Sequence, residues 1–221
     1  MPVKLFILGL PGSGKSGAAR NIELHAKSYS LMPQRFRDYD ILYGMYREDK
    51  EGKHFRSTED RGYDGFDVID SRAFDDALVE LNRQVLQRNR LADKAKELFI
   101  IEFSRVDYCK ALEFFAAHLL KNTYILFIDS DIPTCIQRIK ERVAKAPEER
   151  TDDDRYVSEY IFETYYKQDH RDYLNSVAVQ LQAQFGIHKQ NIHVIHNGPM
   201  VSEQEFKGLV ETFARGILKQ E

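Results

Sequence analysis

The segment that most constrains the fold is a glycine-rich stretch between an apolar run and a helical pattern. The run from Val3 to Leu8 is nearly continuous in apolar character, as expected for a strand buried on both faces. A helical pattern follows from about Lys15 to Ala26. The junction fits the pattern G-x-x-x-x-G-K-[ST] with the residues Gly9, Leu10, Pro11, Gly12, Ser13, Gly14, Lys15 and Ser16. A strand, this loop and a helix in that order predict a phosphate-binding loop at a helix N-terminus.

The residue types of this loop suit the phosphates of a nucleotide and a magnesium ion. Glycines let backbone N–H groups curl around phosphate oxygens, and the helix N-terminus adds partial positive charge. Lys15 would reach the β- and γ-phosphates, and the Ser16 hydroxyl would bind Mg²⁺. Gly17, which follows Ser16, completes the candidate binding site for ATP. The alternative is a tight glycine turn that merely exposes a lysine.

Length, composition and charge limit the remaining possibilities. A chain of 221 residues can bury one substantial core and is short for two, so we expect a single domain over residues 1–221. No apolar run approaches the roughly 20 residues that span a bilayer, which argues against a membrane partner. A net charge of -3 and a pI near 6.2 argue against a nucleic-acid partner. The N-terminal segment has no secretory signal pattern, and we expect a cytoplasmic protein.

Cysteine and histidine usage gives no sign of a disulfide framework or a zinc site. Cys109 and Cys135 both fall in segments with helical character, and we interpret them as packing residues. The seven histidines are scattered, and no pair of them has the spacing of zinc ligands.

Segments of strand and helix character alternate along the chain, which is the pattern of an α/β fold with a parallel sheet covered on both faces. Strands are predicted at 3–8, 97–103, 123–129 and 191–196, with a weakly marked strand within 28–38. Helices are predicted at 15–26, about 71–86, 108–120, from Pro133 onward, in the tyrosine-rich segment after Arg155, and at 202–218. The polar, aromatic-rich stretch from the end of the weakly marked strand to Asp70 has no clear pattern.

The predicted strand 97–103 ends near Glu102, and Arg105 follows three residues later. Together with the loop, this pair resembles the nucleoside monophosphate kinases and their small-molecule kinase relatives, a likeness that covers most of the chain except about residues 28–72. The resemblance implies that Glu102 orders a Mg²⁺-bound water or contacts the acceptor, and that Arg105 holds the acceptor or its phosphate. An acid at this end of a parallel strand also lies where α/β sheets bind ligands. Alternatively, Glu102 and Arg105 pair with each other.

Three further residues match the same family. Arg138 and Arg142 follow the next strand, and their four-residue spacing puts both on one helical face. By resemblance they close over the nucleotide, one on the adenine and others on the transferring phosphates, where permanently charged guanidinium groups suit the developing charge. A solvated helix face is the alternative, and Asp131 reads as a helix cap. Asn197 resembles a residue of the family's loop beside the adenine, unless it forms only an Asn-Gly turn.

The segment from Arg150 to Asp153 resembles the end of the short lid of these kinases, which we place at about 142–156. Arg150 would then contact the transferring phosphate. Asp152 and Asp153 would either fix arginines in the closed state or cap the following helix. The arginine that family members carry further along is missing, and Arg155 is the candidate substitute.

The acceptor site would come mainly from about residues 34–72, where composition is the only guide. Its arginines and aromatic residues suit a nucleotide or a nucleoside, and a mixed surface flap would give the same composition. The arginines are Arg35, Arg37, Arg47, Arg56, Arg61 and Arg72. Asp38 and Asp40 lie just past the weakly marked strand, and Asp40 is our candidate to accept the proton of an acceptor hydroxyl. If the acceptor is a phosphate, Asp40 would instead bind a base or ribose edge.

These observations predict a three-layer P-loop NTPase fold with a five-stranded parallel sheet, a helical lid and an inserted acceptor-binding region. The resemblance implies an ATP- and Mg²⁺-dependent phosphotransferase that acts on a nucleotide, a nucleoside or a similar small-molecule acceptor. The chain has no N-K-x-D motif after a late strand, which argues against a GTPase switch. An ATP-binding regulatory protein and an NTP hydrolase remain the alternatives.

Overall fold

Five parallel strands form the central sheet of the computed structural model, which describes residues 2–59, 62–91, 96–151, 153–167 and 171–219. The strands are β1 (Val3–Gly9), β2 (Met32–Arg37), β3 (Phe55–Ser57), β4 (Phe66–Val68), β5 (Glu97–Phe103), β6 (Tyr124–Asp129) and β7 (Ile192–His196). The sheet order is β2-β5-β1-β6-β7, and β3 and β4 form a separate antiparallel hairpin. The predicted α/β fold and all five predicted strands are confirmed.

Helices connect the strands and cover the sheet. They are α1 (Lys15–Ser28), α2 (Asp38–Glu48), α3 (Arg72–Leu91), α4 (Tyr108–Leu112), α5 (Ala117–Leu120), α6 (Ile132–Ala144), α7 (Glu159–Ile161), α8 (Arg171–Phe185) and α9 (Glu203–Leu218). The predicted helices corresponding to α1, α3, α6 and α9 are confirmed. Asp131 caps α6 as expected, because its side chain accepts a hydrogen bond from the backbone N–H of Thr134 at 2.8 Å.

Three helix predictions were wrong or incomplete. The single helix predicted at 108–120 is two short helices, because the backbone of Ala116 is extended and its N–H donates to the side chain of Asn82 at 3.1 Å. In the tyrosine-rich segment only α7 is α-helical, and a wider π-helical turn follows at Phe162–Tyr166. Helices α2 and α8 were not predicted from the sequence. The predicted lid consists of the end of α6, a 3₁₀ turn at Pro147–Glu149 and irregular chain.

The two faces of the sheet carry separate apolar layers. Side chains alternate along β1, so Phe6 and Leu8 pack with α3, α4 and α8 on one face. Leu5 and Ile7 pack with α1 and α9 on the other face. All seven residues of β5 are buried, as expected for an inner strand of a doubly covered parallel sheet.

A third apolar cluster lies beneath the region that the sequence left unassigned. It joins α2, the β3-β4 hairpin, the start of α3, part of α6 and α7. Phe66 of β4 is at its centre, with the ring of Tyr46 at 5.1 Å and that of Phe55 at 5.4 Å between centroids. The inserted region is therefore packed against the domain, and its cluster forms part of the site described below.

Cys109 and Cys135 are both buried and belong to the apolar clusters, which confirms their interpretation as packing residues. In the described ranges, no helix is both long enough and apolar enough to cross a membrane.

Candidate active site

The glycine-rich loop joins β1 to α1 and is held closely against other elements. Gly12 and Gly14 have φ angles of +81° and +110°, a region that residues with a Cβ rarely adopt. A Cβ at Gly12 would lie 2.4 Å from the backbone oxygen of Cys135 in α6. A Cβ at Gly14 would lie 2.6 Å from Nδ2 of Asn197. Both the backbone conformation and the packing therefore require glycine at these positions.

Replacing Gly12 by alanine should lower the free energy of unfolding by about 2 kcal/mol or more, because backbone strain adds to the clash. Gly17 provides a matched control, since it has no positive φ and a Cβ there meets nothing within 4 Å. Gly17→Ala lies in α1 and should be neutral or slightly stabilising. Chemical denaturation of the two variants measures the difference, and equal stabilities would contradict the packing described here.

Backbone donors at the start of α1 point to an anion-binding site. The N-cap is Gly14, which has no side chain to cap the helix, and the first N–H groups of any helix have no partner within it. Lys15, Ser16 and Gly17 carry these groups, and all three line the cavity described below. Uncapped donors and the helix dipole make this position suitable for a phosphate group.

The ammonium group of Lys15 lies within the loop. Its Nζ donates to the backbone oxygens of Gly9 at 2.9 Å and Leu10 at 2.8 Å, and to Oγ of Ser104 at 2.7 Å. Burial lowers the pKa of Lys15 to about 8, although two nearby carboxylates oppose this shift. None of the three hydrogen-bond acceptors is charged, so the positive charge of Lys15 can act on a phosphate.

Arg138 of α6 and Asn197, which directly follows β7, bind each other beside the loop. Nη1 of Arg138 donates to the backbone oxygen of Asn197 at 2.8 Å, and Nδ2 of Asn197 donates to the backbone oxygen of Ser13 at 2.7 Å. Both residues line the cavity, together with Val201 and Phe206. The structure thus brings two of the predicted nucleotide-binding residues to the loop, and Asn197 forms more than an isolated turn.

The ends of β2 and β5 are joined by two separate ion pairs. Glu102 binds Nε of Arg35, whereas Nη1 of Arg105 donates to Oδ2 of Asp38 at 2.6 Å. Glu102 and Arg105 are each 3% exposed, so bulk water does not screen their charges. Burial raises the pKa of Glu102, and Arg35 opposes that shift. The alternative considered from the sequence, a pair between Glu102 and Arg105, is therefore wrong.

Asp38, and not Asp40, brings a carboxylate to the cavity. The side chain of Asp38 is 12% exposed and lines the cavity, whereas that of Asp40 is 50% exposed and does not. Oδ2 of Asp40 instead accepts a hydrogen bond from Nε of Arg37 at 2.7 Å. Both aspartates lie in the first turn of α2, where residues two apart point in nearly opposite directions because each residue turns the helix by about 100°. The structure corrects the prediction that Asp40 faces the acceptor.

Asp153 connects the predicted lid to the body of the domain. Its carboxylate binds Arg20 of α1 and the guanidinium groups of Arg35 and Arg37 of β2, at 3.1 Å and 2.8 Å for the latter two. Burial alone would raise the pKa of Asp153, but the three arginines outweigh burial and lower it. Asp153 therefore binds arginines and caps no helix, while Asp152 lies outside the described residues.

The arginines in and beside the predicted lid have different environments. Arg150 is exposed and donates from Nε to the backbone oxygen of Lys145 at 3.0 Å, so its predicted contact with the transferring phosphate is corrected. Arg142 lines the cavity, and its Nε is buried without a hydrogen-bond partner in the described part of the chain. Burial lowers the pKa of Arg142. Arg155 also lines the cavity, and its guanidinium lies 5.6 Å from the ring centre of Tyr43.

The loop and several of the charged groups described above line one cavity of about 540 Å³. The loop, Arg138 and Asn197 form part of its lining. A second part, which we call the apolar wall, comes from α2, β4, α3, α7 and the π-helical turn. It consists of Leu42, Phe66, Val68, Phe74, Ile161 and Tyr166. A phosphate-binding loop and an apolar surface therefore share a single space.

The donor groups in the cavity fit a magnesium ion bound together with phosphates. Mg²⁺ prefers oxygen ligands, keeps several waters, and in nucleotide enzymes is held by one or two protein oxygens and the phosphates. Ser16, Asp38 and Glu102 supply a hydroxyl and two carboxylates to the cavity lining. In the described part of the chain, no group of three or more His, Cys, Asp or Glu side chains is placed to hold a metal ion.

No protein-family model matches the sequence, and no curated protein matches it either. Solved structures do match the fold. A gluconokinase from Sinorhizobium meliloti 1021 aligns with a TM-score of 0.53 and 12% identity, over 98% of this chain and 91% of the other. An APS kinase from Mycobacterium tuberculosis, solved with AMPPNP and APS, aligns with a TM-score of 0.50 and 14% identity, over 98% and 95% of the two chains. Together with the loop, the sheet order and the cavity, these alignments show that the chain has the fold of the P-loop kinases.

Proposed function

We propose that the protein is an ATP- and Mg²⁺-dependent phosphotransferase that moves the γ-phosphate of ATP to a nucleotide, a nucleoside or a similar small metabolite. The observation that carries the proposal is the shared cavity. Lys15 and the start of α1 line the same space as Asp38 and the apolar wall. A nucleotide and a second small reactant can therefore lie next to each other, which a kinase requires and a nucleotide sensor does not.

Catalysis would come from alignment and charge. Lys15 would hold the β- and γ-phosphates, and Arg138 and Arg142 would neutralise charge that develops on the migrating group. Ser16 would hold Mg²⁺ together with the phosphates, and the ion would supply positive charge that reduces the repulsion between them. Asp38 would orient the acceptor and take its proton, the role that the sequence analysis gave to Asp40. Arg105 would act through Asp38, as a positioning residue, because its guanidinium binds that carboxylate.

Two segments would form the acceptor side. The inserted region, about residues 34–72, supplies Asp38, Leu42 and two residues of β4, Phe66 and Val68, to the cavity. The lid, about residues 142–156, supplies Asp153 and Arg155. A closed lid would exclude water, so hydrolysis of ATP without an acceptor would be slow.

Replacing Asp153 by asparagine should raise the ratio of ATP hydrolysis to phosphate transfer by roughly tenfold. A tenfold change corresponds to a loss of ~1.4 kcal/mol in the free energy that favours the closed lid. The reason is that Asp153 binds arginines of α1 and β2, outside its own segment. Asp154→Asn is a matched control, because Asp154 binds Lys145 at 3.0 Å and Thr151 at 2.8 Å, within the same segment. Free phosphate and phosphorylated product would be measured for both variants. An equal ratio in the two would contradict a closing role for Asp153.

The proposal is tested by incubating the protein with ATP labelled on the γ-phosphate, Mg²⁺, and pools of nucleosides, nucleoside monophosphates and sugars. Transfer of the label to one compound, with matching release of ADP, is the expected result. Tight ATP binding without transfer would indicate a regulatory protein. Release of inorganic phosphate at a rate that no added compound changes would indicate a hydrolase, and either result would overturn the proposal.

A further inference from the structure

The apolar wall offers aliphatic and aromatic side chains to a ligand in the cavity. Five of its six residues, Leu42, Phe66, Val68, Phe74 and Ile161, are aliphatic or aromatic and 5–9% exposed. The sixth, Tyr166, donates its hydroxyl to the backbone oxygen of Ser104 at 3.1 Å, so the hydroxyl is engaged within the domain. Apolar surface that lines a cavity gains free energy when an apolar ligand displaces water from it. A sugar or a polyol, whose surface is covered with hydroxyls, would leave much of this wall without an apolar contact.

The arginines of the inserted region are already paired with carboxylates. Arg35 and Arg37 bind Asp153, and the arginines nearer the hairpin bind their own partners: Arg56 binds Asp67 and Arg72 binds Asp70, each at 2.7 Å. Arg47 is exposed and does not line the cavity, and Arg61 lies outside the described residues. Of the described arginines between residues 28 and 72, Arg37 alone lines the cavity, and Asp40 and Asp153 already hold its guanidinium.

The carboxylates that line the cavity balance the charge of arginines. Asp38, Glu102 and Asp153 all line it, and each is bound to at least one arginine, so these pairs leave little net positive charge for an acceptor phosphate. Asp38 keeps one oxygen available: Oδ2 accepts from Arg105, whereas Oδ1 accepts no hydrogen bond from the described part of the chain. A hydroxyl group is the donor that this oxygen suits.

Resting on the proposed function, we infer that the acceptor is an aromatic or heteroaromatic alcohol that carries no phosphate. Its ring lies against the apolar wall, and its hydroxyl donates to Oδ1 of Asp38. The hydroxyl oxygen attacks the γ-phosphorus, the bond from that phosphorus to the bridging oxygen of ADP breaks, and the hydroxyl proton passes to Asp38 and then to solvent. The products are a phosphate monoester, ADP and one proton. The substrate class thus differs from a nucleoside monophosphate and from a polyol.

Calorimetry on the full chain, saturated with AMPPNP and Mg²⁺, tests this inference without requiring catalysis. The probes are uridine and adenosine, their 5′-monophosphates, 4-hydroxybenzyl alcohol, and sorbitol. The expected result is that at least one ring-bearing alcohol binds, and that the monophosphates and sorbitol bind at least tenfold more weakly. The inference is overturned if a monophosphate or sorbitol binds more tightly than every ring-bearing alcohol, or if no ring-bearing alcohol binds.

Two near-isosteric variants show where the ring binds. Val68→Thr places a hydroxyl on the apolar wall. Val157→Thr places one at a half-buried position outside that wall, which also lines the cavity and carries less risk to folding. Each should weaken binding of the ring-bearing alcohol about fivefold, with a smaller change for AMPPNP. Val79→Thr, at a position of α3 that is 53% exposed, is the control and should change neither affinity. If the ring-bearing alcohol binds unchanged to both Val68→Thr and Val157→Thr, the inference is overturned.

Transfer of labelled phosphate, measured with the same probes, separates the two proposals. If ring-bearing alcohols bind as expected but never become labelled, the acceptor site stands and the phosphotransferase proposal fails. If sorbitol or a monophosphate becomes labelled most rapidly, the phosphotransferase proposal stands and the inference about the acceptor fails.

Discussion

Phosphotransfer should fall by about 10²–10³-fold when Lys15 is replaced by alanine, while the fold remains intact. The ammonium group lies among the backbone oxygens of Gly9 and Leu10 and the hydroxyl of Ser104, in the loop that would hold the phosphates. An enzyme that works by alignment and charge depends most on the cation closest to the migrating group. Quantifying ADP and labelled product at saturating ATP and acceptor measures the loss in kcat.

A second lysine, on the strand that leads into the loop, provides the control for that experiment. Lys4 is 4% exposed, and its Nζ also donates to backbone oxygens, those of His118 at 3.2 Å and Lys121 at 2.6 Å. It lies at the opposite end of β1, away from the cavity. Lys4→Ala should lower stability and leave the rate per folded molecule unchanged. Equal activity losses in the two variants would mean that Lys15 contributes only to folding, and full activity of Lys15→Ala would refute its contact with the phosphates.

The sequence was sufficient to predict those parts of the site that depend on local pattern. The loop from Gly9 to Ser16 has a fixed spacing, and its place between a buried strand and a helix is visible from hydrophobic periodicity. Arg138 could be placed because it lies on a strongly amphipathic helix with a proline near its start. These residues need only one or two neighbouring elements to be positioned correctly, so local signals were enough.

Residues whose position depends on an unrecognised element could not be placed. Asp38 and Asp40 both follow β2, and choosing between them required knowing that α2 begins at Asp38. That helix has no strong cap signal, since its N-cap is Arg37 and no side chain caps it. The one available clue was order, because the first acid after a parallel strand lies closest to the sheet edge.

Long-range contacts caused the other differences between the predictions and the structure. The break in the predicted helix 108–120 depends on a hydrogen bond from Ala116 to Asn82, which is 34 positions away in the sequence. The role of Asp153 depends on Arg20, 133 positions away, and on two arginines of β2. Such partners leave no periodic signal in a single sequence, whereas the fold brings them together.

Replacing Arg105 by methionine should destabilise the fold by about 3–5 kcal/mol, because the change leaves the carboxylate of Asp38 in the interior without its cation. Arg105 is 3% exposed, and it also donates to the backbone oxygens of Ser104 at 2.6 Å and Phe74 at 2.5 Å, so the variant loses three charge-assisted contacts. Arg72→Met is the control: Arg72 also binds an aspartate at 2.7 Å, but its side chain is 81% exposed. Its thermal midpoint should equal that of the parent protein.

The double variant Arg105→Met with Asp38→Asn distinguishes a buried charge from lost packing. If the uncompensated carboxylate causes the destabilisation, replacing it by a neutral amide should recover part of the loss, and the coupling between the two substitutions should reach about 1–3 kcal/mol. If the loss comes from packing against Phe74 instead, the two substitutions should add. Urea denaturation of the parent, both single variants and the double variant gives the coupling. Strict additivity would show that the Arg105 and Asp38 charges do not depend on each other, and Arg105 would then lose its assignment as the residue that positions Asp38.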